Sequence, residues 1–349
     1  MNVSCRQFRI TKRHPLTISR GTSAFSDNLL VSIDHDGITG LGEMAPTSGG
    51  DAPETAEDAE RRITALSPYL AECAPWEFQR IEALIEQVSM TAAAAAALDI
   101  AMHDWIGKRA GMPLADLFGG YKARIPDTTI TIGISALDSI AERVAEVTAR
   151  YNRPCIKVKL GNPEGIEADQ ALVSAIQAVP HSPAVWIGDA NGGWTVESAL
   201  IMIKWLELCG CRAVEQPLPR GQEADLPKLH KSAGIPIYLD ESVRTSRDIP
   251  AIARAVDGIN IKLMKSGGLR EAIRMVHTAR AHSLKVMVGC MSESSLAISA
   301  AAAITPYVDH ADLDSHLNLV DDPFRGAVYS ERRIVPTDLA GVGAVPITG

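Results

Sequence analysis

After Pro126 the chain repeats one texture: short β-rich segments at 128–135, 155–161, 184–191, 211–217, 235–242, 258–268, 284–290 and 308–316, about 22 to 30 residues from one to the next. A helix-like stretch follows each segment. Parallel strands cannot be joined by a tight hairpin, and each crossover needs a dozen or more residues, usually a helix. Eight such units at this spacing predict a closed parallel barrel. A doubly wound open sheet is the alternative, but it normally carries a Gly-rich phosphate loop after its first strand, and TITIGISALDS has none. A barrel takes about 250 residues, so a chain of 349 residues has room for an appended region.

That region comes first. From Val3 to about Glu43, apolar and polar residues alternate between turn signals, which predicts an antiparallel meander. From Glu54 to about Phe118 the apolar spacing turns helical, and TAAAAAALDIAMHDWIGKRAG ends in Gly111 with Pro113 beyond it, a common helix stop. The expected division is an α+β region over 1–124, the barrel over 125–322, and an irregular tail over 323–349 that returns to the first region. The stretch 19–28, SRGTSAFSDN, reads as a polar loop placed to act as a lid.

Composition narrows the partners. A formal charge of -8, with no long block of Lys and Arg, argues against nucleic acid and against an anionic membrane surface. No apolar run approaches the roughly 20 residues of a membrane span. The six cysteines are scattered, with no CxxC pair, as expected of reduced thiols in the cytoplasm. A small molecule is the expected ligand.

In barrels of this kind the chemistry gathers where the strands end. Asp189, Glu215 and Asp240 close three consecutive segments, followed by Lys265, at separations of 26, 25 and 25 residues. Singly, each acid would pass for a solvated strand end or a helix cap. Together they place three carboxylates at one height, and these cannot all stay ionised in a partly dry pocket without a cation. Hard oxygen donors without His or Cys suit Mg2+, or Mn2+, better than zinc or copper.

Lysines flank this cluster. Lys157 and Lys159 share one face of the second segment, and Lys265 follows the sixth, almost opposite on a ring of eight. A lysine acts as a base only when neutral, so its ordinary value near 10.4 must fall through burial or a neighbouring cation. Lys157 and the metal are the expected neighbours of Lys159.

These residues resemble the enolase superfamily in its muconate-lactonizing-enzyme-like subgroup, and within that the dipeptide epimerases. The resemblance covers almost the whole chain: GLGEMAP and ALDIAMHDWIGKRAGMPLADLFGG are similar to its capping domain, and KVK, GDAN, VEQP, LDES, KLMKSGG and GCMSES to its barrel. It implies a modified (β/α)7β barrel under an N-terminal α+β cap. It also implies Mg2+ on Asp189, Glu215 and Asp240, with Lys159 and Lys265 as the acid/base pair, a combination of base and metal known for the superfamily. Lys157 would be an electrostatic partner, and Asn191 and Glu241 would lie beside the metal. The implied reaction takes the α-proton of a chelated carboxylate substrate with one lysine and returns it from the other, through an enediolate stabilised by the metal and Lys157.

Substrate is set elsewhere. Asp312 and Asp314, two apart at the eighth segment, are similar to the acid pair that takes a dipeptide's α-ammonium group in those epimerases. The expected substrate is a dipeptide inverted at its C-terminal residue, such as L-Ala-L-Glu from cell-wall turnover, with Arg20 placed to meet a second carboxylate. Muconate cycloisomerisation, o-succinylbenzoate synthesis and N-acylamino acid racemisation are the alternatives with the same metal and lysines. Self-association of the chain is compatible with the resemblance.

Overall fold

The computed structural model describes residues 1–47, 53–151, 154–180 and 185–347. Ala184, which opens the third β segment, and the last two residues of the tail lie outside the described residues. The alternating N-terminal sequence forms the expected meander: β1 (Asn2–Ile18), β2 (Gly21–His35) and β3 (Ile38–Met44) pair antiparallel in that order. Asp36 and Gly37 turn β2 into β3 at φ 49° and 73°, the Asp-Gly geometry that suits a two-residue hairpin.

The stretch 19–28 is not a loop. Only Ser19 and Arg20 turn the chain; β2 begins at Gly21, and its ladder with β1 runs from Ile18↔Gly21 past an irregularity between Thr11 and Leu16. Side-chain pairing explains the extension. Arg9 grips Asp27 through two hydrogen bonds of 2.7 and 2.9 Å, and its guanidinium lies 4.0 Å over the Phe25 ring. Such cross-strand pairs stabilise a hairpin that polarity alone would label a loop.

Three helices, α1 (Ala56–Leu70), α2 (Phe78–Gln87) and α3 (Ala92–Ala110), complete the N-terminal region. Helix α3 ends where expected, with Gly111 left-handed at φ 66°. It lies against β3 because Gly40 and Gly42 have no Cβ; one at either position would strike the carbonyl of Ala101 or Ala97. Leu98 and Ile100 are consequently fully buried, each contributing about 1.5–3 kcal/mol.

After the single turn α4 (Leu114–Leu117) come the barrel strands β4 (Thr129–Ile132), β5 (Cys155–Lys159), β6 (Trp186–Asp189), β7 (Val214–Glu215), β8 (Ile237–Leu239), β9 (Gly258–Lys262), β10 (Lys285–Gly289) and β11 (His310–Asp312), one parallel sheet in sequence order. Its crossovers are α5 (Leu137–Arg150), α6 (Ile166–Ala178), α7 (Val196–Leu208), α8 (Leu226–Ser232), α9 (Ile249–Ile252), the pair α10 (Leu263–Ser266) and α11 (Leu269–Ala281), and α12 (Ser295–Ala302). Thr128 bridges Ala311 and closes the ring. A short 3-10 turn, Ser315–Asn318, follows β11 in place of an eighth helix, giving the (β/α)7β form. The tail contains two short antiparallel pairs and meets α3, where Asp104 accepts from Val342 N at 2.8 Å. Among the described residues no helix is long and apolar enough to cross a membrane.

Candidate active site

Strand alternation sends Ile156 and Val158 to one face of β5 and Lys157 and Lys159 to the other, into the barrel. Lys157 is fully buried. Its ammonium group meets three carboxylates, Asp312 at 2.7 Å, Glu215 at 2.8 Å and Asp189 at 3.2 Å. Burial alone would lower the lysine, but these three charges outweigh it and hold the group charged. Lys159 stands one pleat higher, 2.5 Å from Asp189.

Register explains why the acids converge. Lys159 is level with Asp189, and Asp189 with Glu215, on successive strands. Asp240 follows β8 directly, where Gln216 Oε1 accepts from Asp240 N at 3.0 Å and from Ser242 N at 3.2 Å. Asn191 and Gln216, just beyond two of these acids, hold left-handed backbone at φ 43° and 38°, strain of the kind that collects at functional sites. Asn191 links its neighbours, donating through its backbone to Asp189 (2.9 Å) and through its amide to Glu241 (3.3 Å).

Lys265 lies on α10, one helical turn past β9, among the carbonyls of Asp240 (2.5 Å), Asn260 (3.0 Å) and Val243 (3.1 Å). Its ammonium is also 2.5 Å from Asp240 Oδ1. Burial lowers its pKa, and Lys262 adds to the shift while Asp240 opposes it.

Lys262 and Asn260 are neighbours of the acid cluster that the sequence expectations do not include. Lys262 ends β9 and pairs with Asp240 at 2.7 Å, and Asn260 donates to Glu215 at 2.9 Å. The signal was present: Asn260 and Lys262 are two apart on a barrel strand, the same alternation that marks Lys157 and Lys159.

Asp312 accepts from Lys157 and, at 2.5 Å, from the Thr129 hydroxyl across the closing seam. Asp314 accepts from Thr131 N at 2.6 Å. Burial, reinforced by the charge of Asp312, pushes Asp314 up to about 6. Arg20, at the hairpin tip, donates to Asn191 O (2.7 Å) and pairs with Glu241 (3.0 Å). A cavity of about 720 Å³ lies between cap and barrel; Arg20, Lys159, Lys265, Asp312 and Asp314 all line it, with Leu16, Ile18, Ile130 and Met291 as apolar walls.

Among the described residues, no three His, Cys, Asp or Glu side chains stand together as a ready metal cluster; the acids turn to lysines instead. The match is incomplete. Lys157 and Lys265 come close to Glu215 Oε2 and Asp240 Oδ1, yet neither oxygen accepts a hydrogen bond, nor does Asn191 Oδ1 or Glu241 Oε2. Burial and the charge of Asp189 push Glu215 up to about 7. Hard oxygen donors on three neighbouring strands, with acceptors to spare, fit a divalent cation such as Mg2+.

Known proteins share this fold. Residues 2–119 match the mandelate racemase / muconate lactonizing enzyme N-terminal domain, and residues 139–346 match the enolase C-terminal domain-like family. A hydrophobic dipeptide epimerase of Roseobacter litoralis is 44% identical over 99% of both chains. Another, from a Flavobacteria bacterium, is 43% identical over 99% of this chain and 98% of its own. The dipeptide epimerase of Enterococcus faecalis V583, solved with Mg and the dipeptide L-Leu-L-Tyr, superposes with a TM-score of 0.90 at 31% identity over 98% of each chain. The chain belongs to the mandelate racemase / muconate lactonizing enzyme family of the enolase superfamily.

Proposed function

We infer that this protein is a Mg2+-dependent dipeptide epimerase, inverting the α-carbon of the C-terminal residue by proton transfer between two lysines. The observation that carries the reading is the placement of Lys159 at the end of β5 and Lys265 just after β9, with three strands and the carboxylates between them. Amines on opposite sides of a barrel mouth can reach opposite faces of one carbon. The names and bound ligands of the relatives support the same reaction.

Asp189, Glu215 and Asp240 would hold the metal, with Asn191 and Glu241 bracing them. When bound there, Mg2+ supplies positive charge beside the substrate's carboxylate and so acidifies the neighbouring α-carbon. Lys157, held charged on the floor, adds a second fixed cation. The lysine that meets the α-hydrogen as a neutral amine takes it as a proton, and the electron pair delocalises into the substrate's carboxylate. The other lysine, as an ammonium, gives its proton to the opposite face. The carbon is inverted, and the two lysines have exchanged protonation states. Lys265 is suited to the neutral role because its burial disfavours the ammonium.

Asp312 and Asp314 are proposed to hold the dipeptide's α-ammonium, and Arg20 to meet the substrate from the hairpin. In this reading residues 1–124 act as a cap over the barrel of 125–322, with 323–349 fastening the two. The six described cysteines are free thiols, which supports a cytoplasmic setting. Self-association belongs to the same proposal and is measured by sedimentation. The deciding experiment follows deuterium incorporation at the α-carbon across L-Ala-L-Glu and a panel of apolar dipeptides in D2O with Mg2+. Exchange at the C-terminal residue is expected, and its absence with every dipeptide would sink the reading.

A further inference from the structure

Lys12 is a buried cation of the cap that the mechanism does not use. It is 8% exposed, lines the cavity, and donates to the Ser23 hydroxyl and, at 3.4 Å, to the Ser23 carbonyl. The floor lysines all have carboxylate partners. Among the described residues no carboxylate lies within ion-pair distance of Lys12, and burial pushes its ammonium down to about 8. An unmatched cation in such a place is costly, and an anion arriving with the ligand would relieve it.

Its position tells which end of the ligand it would meet. Around Lys12, β1 is fastened to the segment just beyond Asp312 and Asp314: Val320 N donates to Thr11 O at 3.0 Å, Lys12 bridges Leu319, and His14 N donates to Asn318 at 3.0 Å. Arg20 instead stands over Asn191 and Glu241, beside the carboxylate cluster. The two cap cations therefore overlook different ends of the site.

We propose that Lys12 and the Ser23 hydroxyl form an anion subsite for the side-chain carboxylate of the first residue of an acidic dipeptide, such as L-Glu-L-Leu or L-Asp-L-Leu. This rests on the dipeptide reading of the barrel site. Ser23 Oγ accepts from Lys12, which leaves the hydroxyl proton free for the carboxylate. The first residue then offers its ammonium to Asp314 and its side chain to Lys12. An N-succinyl group would bring the carboxylate without the ammonium.

The test compares kcat and KM for α-proton exchange of L-Glu-L-Leu, L-Asp-L-Leu, L-Ala-L-Leu and N-succinyl-L-Leu by the full chain with Mg2+. Wild type is expected to favour the acidic dipeptides over L-Ala-L-Leu by roughly ten- to a hundredfold in kcat/KM, the range of a charge-assisted contact. Lys12→Met should erase this ratio through KM, Lys12→Arg should keep most of it, and Arg20→Gln should leave the ratio in place. Equal kcat/KM in wild type, a ratio that survives Lys12→Met, or one that disappears with Arg20→Gln overturns the proposal. N-succinyl-L-Leu as the best substrate overturns it as well. Exchange of L-Ala-L-Leu without an acidic preference defeats the subsite alone, whereas no exchange with any dipeptide defeats the epimerase reading beneath it.

Discussion

Two pairs of lysines face the barrel mouth from opposite sides, and they are built differently. On β5, Lys157 and Lys159 both lie on the strand, and the two-residue repeat aims them the same way. Across the ring, Lys262 ends β9 while Lys265 is carried one turn further on α10. In each pair the first lysine is clamped by acids and kept charged: Lys157 by Asp312, Glu215 and Asp189, Lys262 by Asp240. The second lines the cavity, joined on the β9 side by Lys262. The difference is in what holds it, because Lys159 leans on the Asp189 carboxylate, whereas Lys265 is also gripped by three backbone carbonyls. Under the proposed reaction, a division of labour between a fixed charge and a mobile proton would arise from a strand repeat on one side and a strand-to-helix junction on the other.

Removing the mobile member should cost most. Lys159→Met and Lys265→Met are each expected to lower exchange by about 10²–10⁴-fold, each more severely for a different stereoisomer at the C-terminal residue. Equal losses for both isomers in both variants would break the assignment of one lysine to each face. Metal removal should come next. Chelation is expected to reduce turnover by about a hundredfold or more, with Mg2+ restoring it, and Asp240→Asn should raise the Mg2+ concentration needed for half-maximal rate.

Stability separates the clamped members. Lys157→Met leaves Asp189, Glu215 and Asp312 without their shared cation and should cost about 3–5 kcal/mol in denaturant unfolding. Lys262→Met should cost less, since Asp240 keeps Lys265. A larger loss for Lys262→Met would reverse the comparison.

A pH profile tests the far side of the site. With Asp314 raised to about 6 by burial and by the charge of Asp312, its carboxylate is protonated below that pH and can no longer attract an ammonium group. KM for dipeptides should rise as pH falls through 6, by up to about tenfold per unit, and Asp314→Asn should flatten this limb. The smallest effect is expected for Arg20→Gln. Its pairing with Glu241 is partly exposed, so about two- to fivefold in kcat/KM is the scale.

Periodicity made the barrel legible, because eight crossovers of similar length leave few other ways to pair the strands. Asp189, Glu215, Asp240 and Lys265 were legible for the same reason, since equal spacing in sequence becomes equal height in a parallel sheet. Lys262 shares the alternation of Lys157, but its pairing with Asp240 exists only once β8 and β9 lie side by side. The hairpin at 19–28 reads as a loop in the sequence because its register depends on Arg9, Asp27 and Phe25, which only meet once β1 and β2 lie side by side.

The local sequence therefore determined which residues point into the barrel, through the two-residue alternation of strands and the glycines that end helices or admit them to a sheet. Tertiary structure decided which charge answers which. Lys157 gathers carboxylates from β6, β7 and β11, Arg20 meets Glu241 from the far end of the chain, and Lys12 is left without an acid among the described residues. Coulomb interactions depend on distance in space and on burial, and neither can be read from separation along the chain.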